Sequence, residues 1–170
     1  MYETDDDLAA LQDLIERSAA AGGRHLKDVL TKDHRLSAEA VCSALPGMSL
    51  LVLATVSSDG RPIAAPVDGI FYRGAFHFGS APDSLRFRHI RRNPHVSASH
   101  LPGEHLQVTV HGTAMLIDVL SDEHAGFREH LLSIYVPRYG EGWASMLESG
   151  AQYARIDAER MFTFWMPEGA

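Results

Sequence analysis

A chain of 170 residues, 45% of them hydrophobic, is long enough to bury one ordinary core. Its formal net charge of −7 excludes an electrostatic nucleic-acid binder, because duplex affinity needs a basic face that displaces counterions. The longest apolar run, Leu50 to Val56, is strand-length and far short of the roughly 20 residues of a membrane-spanning helix.

The single cysteine, Cys42, cannot form an internal disulfide, and no cationic-then-apolar leader opens the chain. A cytosolic location is therefore expected. Neither a fixed-period repeat nor a low-complexity tract is present.

In chain order, Leu8, Leu11, Leu14 and Ile15 recur at helical spacing behind Asp5, Asp6 and Asp7, which suit the positive end of a helix dipole. Gly22 and Gly23 end that helix. Ser37 predicts the N-cap of a second short helix, with Leu36 and Val41 placed as a hydrophobic staple and Pro46 and Gly47 closing it. From Ser49 the texture becomes β. The run Leu50 to Val56 stops at a turn signal, Ser57 to Gly60, and a return strand runs from about Pro62 to Tyr72. Pro62 and Pro66 cannot donate to a ladder, so this strand is expected at an edge or with a bulge.

A third strand, Ala75 to Gly79, leads into the polar loop Ser80 to Asp83, followed by a helix starting near Ser84 and ending at Asn93 and Pro94. His95 to Leu101 and His105 to Asp118 read as a strand pair, the second bent near Gly112. After Ser121 the spacing is helical, with a break expected at Pro137 and Gly140 before a continuation over Trp143 to Leu147. Two short strands, Tyr153 to Ile156 and Met161 to Trp165, are expected at the end. The sum is a mostly β fold: six or seven antiparallel strands in a small barrel with inserted helices. A helical extension occupies 1–47 and the barrel domain 48–170.

The stretch Gly79 to Pro94 carries the chemistry. A strand end, two serines, Ser80 and Ser84, and a helix with Arg86, Arg88, Arg91 and Arg92 together offer amides, hydroxyls and guanidinium groups, which a phosphate monoester needs. The same charge pattern also fits a solvated basic helix whose arginines meet surface acids. Arg61 opens the proline-bearing strand, where unpaired amides near Ala64 and Ala65 could meet the acceptors of a ring edge. An ordinary edge strand protected by proline is the other reading of it.

The ordered pieces Ala54-Thr55-Val56, Asp59-Gly60-Arg61-Pro62, Pro66-Val67, Ser84-Leu85-Arg86, Arg92-Asn93-Pro94 and Val110-His111-Gly112-Thr113-Ala114 resemble the pyridoxamine-phosphate-oxidase-like split β-barrel family. That family includes flavin mononucleotide (FMN) enzymes and reductases that use the deazaflavin coenzyme F-420. The resemblance implies a split barrel, a homodimer with the cofactor site at its interface, and a small-molecule substrate. It implies phosphate contacts at Gly79, Ser80, Ser84 and Arg86. The strand along the flavin ring would be Arg61, Pro62, Ala64, Ala65, Pro66 and Val67, with Trp165 as a ring contact from the second subunit.

The implied activity is hydride transfer between FMN or F-420 and a small organic acceptor, with the ring doing the redox step and no protein acid or base assigned. The alternative is a non-catalytic cofactor or haem carrier. The C-terminal Met161 to Pro167 lacks the arginine signature for pyridoxal phosphate, which argues against vitamin B6 oxidation. The ten histidines include no metal-ligand spacing and no metal site is assigned; His111 faces either the cofactor or water. Cys42 reads as an inert thiol. Trp143 and Phe127 read as packing for the helical insertion.

Overall fold

The computed structural model describes residues 2–167. Three helices precede the sheet: α1 (Asp5–Ala21), α2 (Arg24–Val29) and α3 (Ala38–Ala44). Helix α1 begins with a reciprocal cap, in which Asp7 N–H donates to Thr4 Oγ1 at 3.2 Å and Thr4 N–H to Asp7 Oδ2 at 2.9 Å. Ser37 caps α3 by accepting from Ala40 N–H at 3.2 Å. The short α2 was not foreseen; it has no side-chain cap and buries no residue.

Six antiparallel strands follow: β1 (Met48–Val56), β2 (Pro62–Tyr72), β3 (Ala75–Ser80), β4 (His95–Gly103), β5 (Leu106–Ile117) and β6 (Gln152–Trp165). They close a barrel in the order β1-β2-β3-β6-β5-β4. Helix α4 (Leu85–Arg92) links β3 to β4, and α5 (Ala125–Tyr139) and α6 (Gly142–Glu148) link β5 to β6. The two short strands expected at the end are one, β6. It holds together because it pairs with β5 along its length and absorbs a register shift between His111 and Gly112 by leaving Glu159 unpaired. A Cβ on Gly112 would come within 2.1 Å of the Asp157 carbonyl oxygen, so glycine there lets the strands approach. Helix α5 runs through Pro137 to Tyr139 without the expected break and ends at Gly140, at φ +82°.

Alternation sorts the side chains into two cores. Leu51, Leu53, Phe76, Phe78, Val108, Val110 and Ile156 point into the barrel, where α1 adds Leu11, Leu14 and Ile15, α3 adds Val41, and α4 adds Phe87 and Ile90. A second core holds Ile70, Phe127, Leu131, Tyr135, Trp143 and Tyr153, between α5, α6 and the outer sheet surface. Phe127 and Trp143 do pack the helical insertion. Over Pro62 to Asp68, β2 has a partner only in β1, since β3 joins it from Gly69 onward. The strand is thus an edge over its proline-bearing half and pairs with β1 there without a bulge.

Among the described residues, no helix is long and apolar enough to cross a membrane.

Candidate cofactor site

The loop after β3 turns back on itself through Ser84 N–H donating to the Ala81 carbonyl at 3.0 Å, and Ser84 then caps α4 by accepting from Phe87 N–H at 3.5 Å. The cap leaves the first amides of α4 unsatisfied and its positive end open. Two residues after the cap, Arg86 reaches across to β2, where its Nη2 donates to the Pro66 carbonyl at 2.9 Å. No carboxylate of the described residues pairs with it. Burial holds this guanidinium below its usual range, the direction expected when a cation loses water without gaining a counter-charge.

The other arginines differ. Arg91 Nη1 donates to the Pro82 carbonyl at 2.9 Å and Arg92 Nη2 to the Val56 carbonyl at 2.7 Å, so both fasten α4 to its surroundings. Arg61 pairs with Asp59 at 2.7 Å in the β1-β2 turn. Arg88 is exposed.

Arg86 and Ser80 lie between two cavities. A small one of about 190 Å³ is lined by Leu53, Thr55, Ile63, Ala65, Ser84 and His89 besides these two. Its floor is fixed by a 2.9 Å hydrogen bond between Thr55 Oγ1 and His89 Nδ1, both buried. The larger cleft, about 490 Å³, opens on the outer sheet surface and includes Val67, Asp68, Gly79, Tyr135, Trp143 and Tyr153. Its walls are mainly apolar and aromatic. Trp143 lies parallel to Tyr135 at 4.5 Å between ring centroids, and Tyr135 OH donates to Asp68 Oδ2 at 3.2 Å.

Of the residues expected from the sequence, Ala65, Val67, Gly79, Ser80, Ser84 and Arg86 therefore line this pair of cavities. Arg61, Pro62, Ala64 and Pro66 line neither, although Pro66 touches Arg86 through its carbonyl. Neighbouring residues of a strand turn their backbone groups to opposite sides, so one of Ala64 and Ala65 faces away from β1 and has no strand partner. Trp165 pairs with Leu106 at the far end of β6 from Tyr153 and lies outside the site within this chain. Sequence reasoning missed Asp68, Tyr135 and Tyr153 altogether and assigned Trp143 to packing alone.

Elsewhere, a groove of about 860 Å³ is lined by Leu26, Leu30, Leu101, His111, Phe162 and Phe164. His111 shares a 2.8 Å hydrogen bond through Nδ1 with Ser97 Oγ. Among the described residues no three potential metal ligands come together. The Cys42 thiol is pushed up to about 12 by burial and then by the charge of Glu3, which keeps it protonated.

A closed six-stranded antiparallel barrel with inserted helices is the split-barrel fold. The family model for pyridoxamine 5'-phosphate oxidase matches residues 37–164, and the chain belongs to that family. No curated protein matches at a significant level. Solved structures carry the same fold. A conserved hypothetical protein from Mycobacterium tuberculosis is 19% identical with a TM-score of 0.65, covering 82% of this chain and 94% of its own. The haem storage protein from Vibrio cholerae is 18% identical with a TM-score of 0.60, covering 76% and 95%. An FAD-binding protein from Mesorhizobium loti is 23% identical with a TM-score of 0.55, covering 74% and 90%.

Proposed function

We propose that this protein is a flavin-dependent oxidoreductase that anchors the phosphate of its cofactor at Arg86. The carrying observation is a half-buried guanidinium with no carboxylate partner, flanked by Ser80 and by Ser84 at an open helix start. This donor set fits a phosphate monoester: one fixed cation, two hydroxyls and the α4 amides. A bound flavin would supply the hydride chemistry, moving two electrons to or from a small organic substrate. The chain's own residues hold the phosphate, shape the apolar cleft and keep water out of it.

The anchor suits FMN and F-420 alike, since both carry phosphate, and the exposed Arg88 is a further cation on the same helix.

A homodimer is part of the reading. Leu50 is 62% exposed, Val52 54% and Leu101 61%, on the adjacent strands β1 and β4, and Leu50 lies directly across from Asp68 in β2. An apolar patch of this kind suits a second copy, and it borders the cleft.

The second reading is haem binding, favoured by His111, whose Nδ1 is held by Ser97 while its ring faces a large apolar groove.

The test is to titrate the stripped protein separately with FMN, F-420 and haemin, following flavin fluorescence and visible absorbance. Tight FMN binding with no saturable haem spectrum supports the first reading. A haem spectrum lost in His111→Ala, with no flavin binding, supports the second.

A further inference from the structure

The larger cleft is lined by one carboxylate, Asp68, which forms no ion pair with the described residues. Asp68 is half-buried on the outer face of β2, its Oδ2 accepts from Tyr135 OH, and no cation of the described residues pairs with it. Arg86 lines the same cleft but forms no ion pair with Asp68; its Nη2 donates to the Pro66 carbonyl, and its charge is the one the phosphate reading uses. Two phenols flank the carboxylate. Tyr135 is pushed upward and Tyr153 up to about 12, each first by burial and then by the charge of Asp68, so both remain neutral. They can donate hydrogen bonds and cannot balance charge.

Around this acid the walls are flat and apolar: Trp143 stacked on Tyr135, with Ile70, Pro82 and Met146. A carboxylate set in such surroundings without a counterion is costly to the fold, and sites of this type recur where a ligand provides the missing partner. Aromatic walls add preference for a planar group, and for one with positive charge.

We propose that the Asp68 end of the cleft recognises a planar ligand carrying a nitrogen donor, a protonated amine or a heterocyclic N–H, and that Asp68 thereby sets which acceptor the enzyme takes. Anionic acceptors are turned away by the same charge. The assignment of this ligand as the acceptor rests on the reading of Arg86 as the cofactor's anchor; the recognition itself does not.

The experiment is calorimetric titration of the full chain, with and without FMN, using three planar probes: proflavine as a cation, acridine as a neutral ring and acridine carboxylate as an anion. Wild type should bind proflavine about ten-fold or more tightly than acridine, and the carboxylate least. Asp68→Asn should abolish that preference. Tyr135→Phe keeps the carboxylate and should retain the preference, with circular dichroism checking the fold of both variants. Equal binding of the three probes to wild type, or an intact preference in Asp68→Asn, overturns the proposal. Loss of FMN affinity in Asp68→Asn also overturns it, because the carboxylate would then serve the cofactor. An Asp68-dependent preference for proflavine in a protein that binds no FMN upholds the recognition and sinks the cofactor reading alone.

Discussion

The ring of Tyr153 lies against Gly79, its cross-strand partner, so closely that a Cβ on the glycine would come within 2.6 Å of Tyr153 Cζ. The contact seats the phenol in the cleft and brings β6 backbone to the strand end from which the loop Ser80 to Asp83 departs. A side chain at position 79 must therefore push the ring aside. Gly79→Ala is expected to destabilise the protein by about 1–3 kcal/mol, as overpacking does, and to disturb the cleft. Urea unfolding measures the first effect, and proflavine titration measures the second.

Arg86 and Arg92 sit on one helix and should answer differently. Arg86→Ala is expected to cost about 1.5–3 kcal/mol of FMN binding, roughly ten-fold or more in affinity, with Arg86→Lys intermediate because a lone ammonium replaces a fork of donors. Arg92 holds the Val56 carbonyl, so Arg92→Ala should lower the melting temperature and leave FMN affinity unchanged. Fluorescence titration and thermal unfolding of the two variants separate the roles.

His77 is buried against Phe127, with ring centroids 4.2 Å apart, and shares a 3.1 Å contact between Nδ1 and the Ala75 carbonyl. Burial is the first cause of its depressed pKa, about 3. The folded state thus keeps His77 neutral while the unfolded chain protonates it near 6.5. Its contribution to stability is complete above about pH 6.5 and is lost as pH falls from there toward about 3. Melting temperatures of wild type should drop between pH 7 and pH 5, and His77→Phe should flatten that drop. An unchanged slope in the variant would assign the pH dependence to other groups.

The exposed apolar patch supplies a fourth expectation. The wild-type protein should scatter light as a particle of twice 18.7 kDa, and Leu50→Lys with Val52→Lys should give the monomer mass while retaining the far-ultraviolet spectrum of a folded barrel. A wild-type monomer that binds FMN would contradict the shared-site reading.

Local signals were legible in the sequence where a few neighbouring residues decide the outcome. The acidic run Asp5 to Asp7 marks the start of α1 correctly, while the cap from Thr4 carries no part of that reading. Ser37 is the cap its position predicts, Ser84 is itself the cap of α4 rather than its first helical residue, and Gly60, at φ +82°, turns the β1-β2 hairpin as Asp59-Gly60 suggests. The family resemblance rested on such pieces, and the matched region and the barrel agree with it. Non-local features were not legible. Tyr153 to Ile156 and Met161 to Trp165 looked like two strands because the intervening Asp157 to Arg160 is polar, and only pairing with β5 makes them one.

The candidate site divides along the same line. The sequence by itself determined the candidate phosphate loop, since Ser80, Ser84 and Arg86 lie within seven consecutive residues and their spacing places them at one helix start. Only the tertiary structure decided that Arg86, Arg91 and Arg92 each meet a backbone carbonyl and, among the described residues, no carboxylate, because those partners come from β2, the loop after β3 and β1. It also decided that Asp68 meets a phenol 67 positions away under a stacked tryptophan. Residues so far apart in the chain meet only through the closure of the barrel and the packing of α5 and α6 on its outer face, and no local pattern encodes that distance.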